Sequence, residues 1–124
     1  MLNSKANALM TALLLWSWLI HLAVDWFAQT EWQALNKVRW THPAAWVHSG
    51  LHTLAQLLIF PWYVALAIGL VHLWIDTRTP LIAWRKLFRQ TQEGSMLLHL
   101  AIWQDQVSHV LVLAVASVLV AHHH

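Results

Sequence analysis

Pairs of ionisable side chains inside long apolar runs constrain this chain more than any other feature. His21 and Asp25 are four residues apart in one such run and therefore lie on one face of a helix. The residues before them, 7–20, carry no charge and have the composition of a membrane span. An imidazole and a carboxylate in such surroundings are costly unless other groups pair with them. We therefore expect the rest of the chain to supply partners for this pair.

The composition is typical of an all-α membrane protein. Of 124 residues, 59% are hydrophobic and 10% are charged, which differs strongly from the balance of a soluble domain. The chain has no cysteine, so a disulfide framework, a thiolate metal site and a cysteine nucleophile are excluded. The first apolar run is too long for a cleavable signal peptide. We expect one domain over residues 1–121, and we interpret residues 122–124, all histidine, as a purification-tag remnant.

Four transmembrane helices are predicted from the apolar runs, at about residues 6–29, 43–60, 62–77 and 96–121. Pro61 divides the uncharged stretch between Arg39 and Asp76 into the two middle spans, which a tight turn joins. Both are short for a crossing, so a reentrant hairpin is an open alternative. A short amphipathic helix over about residues 81–90 is expected on the membrane surface. The predicted fold is an up-down-up-down four-helix bundle with one surface helix.

Each predicted span carries one pair of candidate metal ligands at four-residue spacing. The pairs are His21 and Asp25, His48 and His52, His72 and Asp76, and Asp105 and His109. They include every aspartate in the chain and five of the seven histidines outside residues 122–124. A single pair is typical of hydrogen-bonded structural residues, whereas one pair in each of four spans indicates a shared site.

The ligand types indicate a transition-metal centre. Two side chains one helical turn apart can reach one ion or bridge two, and four helices can present such pairs to a common axis. Imidazole and carboxylate together suit Zn²⁺, Fe²⁺ or Mn²⁺ better than Ca²⁺ or Mg²⁺. The donors exceed what one tetrahedral zinc needs. We predict two Zn²⁺ ions, with Fe²⁺ and Mn²⁺ as alternatives, or one ion with several of these residues around it.

Loop charge assigns the site to one side of the membrane. With alternating spans, the first three pairs lie at one depth, whereas Asp105 and His109 lie deeper, about 16 Å from Gly94 along a straight helix. That offset shrinks if the last span begins above the hydrocarbon. The cations in the two connections beside the site are Lys37, Arg39, Arg78, Arg85, Lys86 and Arg89, and only Lys5 lies at the other end. The positive-inside rule then predicts a multi-pass protein of the bacterial inner membrane, with the site cytoplasmic and both termini outside. The same cations could attract a phosphate or an anionic headgroup, although for any single arginine a role in topology is favoured.

Tryptophan and glycine positions predict how the helices are placed. Most of the 10 tryptophans are near predicted span ends, which is typical of anchors at the membrane boundary. Gly50 lies between His48 and His52, and a glycine on a predicted span favours close packing of two helices.

Four segments resemble those of the domain of unknown function 3307 family, which consists of small bacterial and phage integral membrane proteins. They are HLAVDWFAQ at 21–29, HSGLH at 48–52, HLWID at 72–76 and DQVSH at 105–109, so the resemblance covers nearly the whole chain. It implies a shared polar site but no reaction, because none is established for that family. Gln29 and Gln106 belong to the matching segments and are expected to hydrogen-bond to the ligands.

Three functions are open. The ligand set is similar to those of zinc phospholipase C and related zinc nucleases, which predicts metal-dependent hydrolysis of a phosphoester or lipid headgroup, with one Asp as bridge or general base. The expected partners are then membrane lipid and a phosphate-bearing or lipid substrate, without nucleic acid, and a homo-oligomer is open. A divalent-cation or proton transport protein is the first alternative, although we expect no second polar step between the site and the outer face. A di-iron redox enzyme is the second, and the absence of Glu ligands argues against it.

Overall fold

Helices form the regular structure of this protein, which we describe from a computed structural model over residues 3–91 and 93–124. In that part of the chain the α-helices are α1 (Ser4–Ala23), α2 (Glu31–Asn36), α3 (Pro43–Gln56), α4 (Trp62–Asp76), α5 (Thr79–Leu87) and α6 (Gly94–His122). A π-helical turn, Val24–Ala28, continues α1. No strand occurs in these residues, so the predicted all-α class is confirmed.

Prolines and polar caps set the ends of the long helices. The Asn3 side chain accepts a hydrogen bond from the first turn of α1. Pro43 begins α3, and the His42 Nδ1 atom before it accepts a backbone N–H of that helix at 3.1 Å. Pro61 precedes α4 as predicted, whereas α3 ends at Gln56, a turn earlier than expected.

The short helix α2 lies in the connection between the first two predicted spans, where no helix is predicted. Thr30 and Gln33 are three residues apart, and the Thr30 hydroxyl accepts the Gln33 backbone N–H at 3.3 Å. This is half of a capping box, the sequence signal by which the helix is recognisable. Helix α2 packs against α3 and buries the Gln33 side chain there.

The four long helices pack in a closed ring. Helix α1 contacts α3, α3 contacts α4, α4 contacts α6, and α6 returns to α1. One end of the ring is filled by buried apolar side chains, namely Phe60, Ile68, Leu113, Ala116 and Val120. The other end contains the polar pairs.

The length of α6 removes the expected difference in depth between the pairs. This helix has 29 residues, against 15 in α4, and is therefore about 43 Å long rather than about 22 Å. Its first turns run alongside α5, where the Arg85 Nη1 atom donates to the Gln104 Oε1 atom at 3.0 Å. Because these turns come before Asp105, the Asp105 and His109 pair lies level with the other three.

Helices α3 and α4 approach each other at Gly69. A Cβ atom there would overlap the Thr53 side chain and would lie 3.3 Å from the Ser49 carbonyl oxygen. A Cβ atom at Gly50 would meet nothing within 4 Å. The prediction that Gly50 allows close packing is therefore wrong, because Gly50 faces open space beside α3.

Large apolar side chains cover the outside of the ring. Two helical stretches are long and apolar enough to cross a membrane: Ser4–Ala28, with mean hydropathy 1.6, and Gly94–His122, with mean hydropathy 1.5. Helices α3 and α4, with 14 and 15 residues, are shorter than such a span. Every tryptophan except Trp18 is exposed.

Candidate metal centre

Side chains from all four long helices meet at the polar end of the ring. Seven of the eight predicted ligand residues take part, namely His21, Asp25, His48, His52, His72, Asp76 and His109. All five of these imidazoles are buried. The rings lie against one another, and the closest pair, His52 and His72, has its centroids 3.9 Å apart. The sequence prediction that four helices share one site agrees with this arrangement.

Asp25 lies among three imidazoles. Its Oδ1 atom is 2.8 Å from the His52 Nε2 atom and 3.4 Å from the His48 Nε2 atom, and its Oδ2 atom is 3.1 Å from the His21 Nε2 atom. Asp25 belongs to the π-helical turn, and such turns occur frequently at functional sites. The carboxylate therefore connects the end of α1 with α3.

Asp76 has a matching position on the other side of the cluster. Its Oδ2 atom is 2.9 Å from the His72 Nε2 atom and 3.4 Å from the His48 Nε2 atom, and its Oδ1 atom is 3.6 Å from the His109 Nε2 atom. His48 thus lies between the two carboxylates.

Most of the imidazole Nε2 atoms in the cluster have no hydrogen-bond partner within the described residues. These buried atoms belong to His21, His48, His72 and His109. The His72 Nε2 atom is only 2.9 Å from an Asp76 oxygen, yet the two do not have hydrogen-bonding geometry. Buried polar nitrogens without partners are rare in folded proteins. These Nε2 atoms point toward the middle of the cluster and do not hydrogen-bond to one another.

The spacing of the donor atoms fits a metal ion. Neighbouring donors are separated by 2.8 to 3.6 Å. A tetrahedral ion with bonds of about 2.0–2.1 Å has its ligand atoms about 3.3 Å apart. The donor set is nitrogen and oxygen only, which suits Zn²⁺, Fe²⁺ and Mn²⁺.

The donors form two overlapping groups. Each residue of a group offers one donor atom, and these atoms lie within 4.8 Å of one another. The first group is Asp25, His48, His52 and His72, and the second is His72, Asp76 and His109. His72 is common to both groups. His21 belongs to neither ligand group, although its Nε2 atom contacts Asp25 and its ring stacks on Trp18.

Hydrogen bonds on the far side of two rings fix which nitrogen faces the cluster. The His48 Nδ1 atom is 3.3 Å from the Gln33 Oε1 atom, and the His109 Nδ1 atom is 2.7 Å from the Asp105 carbonyl oxygen. Both oxygens can only accept, so both Nδ1 atoms carry a proton, and in the neutral rings the Nε2 lone pairs face the cluster. Bonds of this kind orient histidine ligands in metal sites. Gln33 was not predicted, and its signal in the sequence is the capping box of α2.

Asp105 lies apart from both ligand groups. Its Oδ2 atom is 3.8 Å from the His109 Nδ1 atom and accepts the Gln106 Nε2 donor at 3.2 Å. The helix explains this position: His109 is the later member of its pair and leans back over the preceding turn, so its ring bonds to the Asp105 backbone. Asp105 and Gln106 line a cavity that Asp76 also lines. Gln29 follows the π-helical turn, its Oε1 atom is buried, and within the described residues no hydrogen bond joins it to a predicted ligand.

A buried polar contact continues from the centre toward the apolar end of the ring. Gln56 lies one turn beyond His52 on α3, and its Nε2 atom donates to the Ser17 carbonyl oxygen of α1 at 3.0 Å. The Gln56 Oε1 atom is buried and has no partner within the described residues. The expectation that no second polar step leads from the site toward the outer face stays a prediction, and Gln56 is the residue that bears on it.

No protein-family model, curated protein or solved structure matches this chain. The similarity of its four segments to the domain of unknown function 3307 family stays a prediction.

Proposed function

We propose that this chain is a membrane-embedded metal-binding protein whose His/Asp centre holds two transition-metal ions, most simply Zn²⁺. The observation that carries the proposal is the set of buried imidazole Nε2 atoms that face two carboxylates without hydrogen-bond partners. In a purely structural cluster, each of these nitrogens would leave a buried polar group unsatisfied, which is costly. Metal ligation satisfies the Nε2 atoms of His48, His72 and His109 at once, whereas the His21 Nε2 atom stays beside the Asp25 carboxylate.

Two ions divide the cluster into two sets of three ligands. A neutral imidazole offers one nitrogen lone pair, so His72 can bind only one of the ions. The first ion then has Asp25, His48 and His52, and the second has His72, Asp76 and His109. Three protein ligands leave a coordination position open, as in catalytic zinc sites, whereas structural zinc sites are closed.

Membrane insertion is supported by the outer surface of the ring. The turn between α3 and α4, residues 57–61, is wholly apolar, and its Leu58 side chain is 79% exposed. An aqueous loop of that composition is unusual, whereas a membrane or its boundary accommodates it. The two candidate spans expose apolar faces in the same way. We infer a multi-pass protein of the bacterial inner membrane, with the metal centre toward the cytoplasm and both termini outside.

Hydrolysis of a phosphoester is the reaction that this centre supports best. The residues that would hold the ions are Asp25, His48 and His52 in one set and His72, Asp76 and His109 in the other, and zinc there would supply an activated water whose pKa is lowered to about 7. In the hydrolysis, a P–O bond to the water oxygen would form as the ester P–O bond breaks. Asp105 lies beside the ligand groups without belonging to them, so it would accept the proton of the water and pass it to the leaving oxygen.

Transport of a divalent cation or of protons is the second candidate. It is favoured by Gln56, a buried polar side chain with an unpartnered oxygen one turn beyond His52. Polar groups in series across a membrane protein mark ion paths. Uptake of Zn²⁺ into sealed vesicles that contain the protein, lost in Gln56→Leu but not in Asp105→Asn, would favour transport over hydrolysis.

Elemental analysis tests the metal centre. All proteins carry alanines at residues 122–124, since consecutive histidines bind metals themselves. After reconstitution with Zn²⁺, Fe²⁺ or Mn²⁺, the parent protein should hold about two ions per chain, and the variant His48→Ala/His52→Ala should lose at least one of them. The matched control is His99→Ala, whose histidine is exposed and outside the cluster. Metal content near zero in the parent protein with all three metals would refute the proposal.

A further inference from the structure

A cavity lies directly beside the metal centre. Its volume is about 210 Å³, and it is smaller than the sites that hold drug-sized ligands. The polar and charged residues that line it are Lys37, Arg78, Arg85, Asp76, Asp105 and Gln106. Because Asp76 belongs to the second ligand group, a small group bound in this cavity lies next to the proposed ions.

We propose that this cavity binds the phosphate group of an anionic ligand, with Arg85 as its central contact. The inference rests on the proposed function, because it names the chemical class of the substrate for the same site. It adds a binding pocket and three cationic residues to the metal ligands of the centre.

Arg85 is a buried cation with unused hydrogen-bond donors. Its residue is only 5% exposed, and its Nε atom is buried without a hydrogen-bond partner within residues 3–91 and 93–124. One partner is defined, since its Nη1 atom donates to the Gln104 Oε1 atom, which is a neutral group. No carboxylate of the described residues lies within ion-pair distance of this guanidinium, although Asp105 lines the same cavity. A buried cation with unused donors is costly, and a phosphate satisfies both its charge and its donors.

The position of Arg85 is fixed by neighbouring amides. The Gln104 side chain accepts from the Arg85 Nη1 atom, and its own Nε2 atom donates to the Gln90 Oε1 atom at 2.8 Å. This chain of bonds joins α5 to α6 and holds one edge of the guanidinium. Arginine binds phosphate with two parallel hydrogen bonds, so a preset orientation reduces the cost of ordering the side chain on binding.

The cations of the cavity come from separate parts of the chain. Lys37 follows α2, Arg78 lies between α4 and α5, and Arg85 is within α5. A role in topology requires only that cations lie on the same side of the membrane. It does not require them to converge, and it does not favour burial of one of them. Lys86 and Arg89 on the same surface are exposed, as cations that serve only topology are expected to be.

The Asp105 carboxylate reduces the positive charge of the cavity. It faces the same cavity as the three cations, so it opposes an anion there. Three positive charges against the two carboxylates of Asp105 and Asp76 still leave the lining of the cavity net positive. The proposed ions add further positive charge on the Asp76 side, which favours an anionic ligand more strongly.

The phosphate has two sources, inorganic phosphate and the headgroup of a phospholipid. Binding of each is measured with the full chain in nanodiscs of phosphatidylcholine, loaded with Zn²⁺. Calorimetric titration with inorganic phosphate tests the first source, and retention of phosphatidic acid added to the nanodiscs tests the second.

The variant Arg85→Gln should weaken phosphate binding at least tenfold in whichever arm shows binding, while its metal content stays at the parent value. The matched control Lys86→Gln, at the next residue, should change binding less than twofold. The variant Arg85→Lys retains the charge without the planar fork and should bind with intermediate affinity, provided that its circular dichroism matches that of the parent.

The outcomes separate this inference from the proposed function. If parent protein and Arg85→Gln bind both probes equally, or if neither probe binds to metal-loaded protein, the phosphate pocket is refuted and the metal centre stands. If the parent protein takes up no metal but phosphate still binds through Arg85, the metal centre is refuted and the pocket stands.

Discussion

Single hydrogen bonds decide which nitrogen of a histidine can act as a ligand in this cluster. The Gln33 and Asp105 oxygens occupy the Nδ1 protons of His48 and His109, so the Nε2 atoms remain free for the centre. Such contacts contribute to affinity without touching a metal, because they hold the ring in the orientation that ligation requires.

Removing the Gln33 side chain should therefore weaken metal binding without removing a ligand. For Gln33→Ala we expect metal affinity to fall about 10-fold, the lower end of what orienting bonds contribute in metal sites. The affinity is measured by competition with a chromogenic chelator. Asn36→Ala is the control, since Asn36 is on the same short helix and bonds to the Trp32 carbonyl rather than to the cluster. Equal affinity in Gln33→Ala and the parent protein would show that something else orients His48.

Asp76 and Asp105 have the same four-residue spacing to a histidine, but their substitution should affect metal content differently. Asp76 contacts three imidazoles, whereas Asp105 lies outside both ligand groups. We expect Asp76→Asn to lose about one ion per chain and Asp105→Asn to retain the parent content of about two, as measured by elemental analysis. If Asp105→Asn loses metal as Asp76→Asn does, the original prediction that Asp105 is a ligand is correct.

Most of the centre is visible in the sequence, for a physical reason. Ionisable side chains are rare in apolar spans, so His21 or Asp76 stands out against its neighbours. Gln33 stands out less, because it lies in a polar stretch and only its spacing from Thr30, half of a capping box, marks it. The sequence also does not predict the position of Asp105. Four-residue spacing places Asp105 and His109 on one helix face, but it does not determine which nitrogen of the His109 ring faces Asp105.

At the scale of elements, apolar length and proline set most helix ends. The predicted boundaries at Pro43 and Pro61 hold because proline fits the start of a helix and interrupts its interior. The π-helical turn at 24–28 has no such signal, since the four-residue spacing of His21 and Asp25 suits an ordinary α-helix equally well. The sequence predicts nearly the full length of α6, 96–121 against Gly94–His122, whereas the contact of its first turns with α5 is tertiary information.

The contact between α3 and α4 should depend on the absence of a side chain at Gly69. In Gly69→Ala the new Cβ overlaps the Thr53 side chain, which is stiff at χ1, so the helices must separate. We expect a loss of about 1–3 kcal/mol in the free energy of unfolding, measured by denaturant titration in detergent. Metal affinity should fall as well, because His52 and His72 lie on these two helices.

Gly50→Ala is the matched control for this substitution. A Cβ atom at Gly50 meets nothing within 4 Å, and alanine stabilises a helix by about 0.5–1 kcal/mol relative to glycine. Unfolding free energy should therefore stay constant or rise. A loss in Gly50→Ala equal to that in Gly69→Ala would contradict the packing that the structure assigns to Gly69.

At the scale of the whole molecule, the ring has one cationic end and one apolar end. Pro61 and Tyr63, beside the turn from α3 to α4, line the same groove as His123 and His124 at the end of α6. The tip of the hairpin is therefore level with the C-terminal end of the last helix. If α6 crosses the membrane, the hairpin reaches the same boundary and is not reentrant.

Thiol labelling of spheroplasts tests this topology, and the absence of native cysteine makes single-cysteine variants clean reporters. We expect a membrane-impermeant maleimide to label Leu58→Cys and Lys5→Cys in intact spheroplasts. Arg89→Cys, in the cationic surface, should be labelled only after lysis. If Lys5→Cys is labelled but Leu58→Cys is not, before or after lysis, the hairpin is buried in the bilayer and the reentrant alternative is correct.

If two ions bind as proposed, the single imidazole shared by the two ligand groups makes them unequal. A lone ion can use the His72 lone pair from either group, whereas in the doubly loaded centre only one ion can have it. Loading would then be stepwise, with a strong first event and a weaker second one. Under metal scarcity the protein would hold a single ion, and the fraction of chains with a complete pair would rise with supply. Any activity that needs both ions would then follow metal availability in the cell, without a separate regulatory domain.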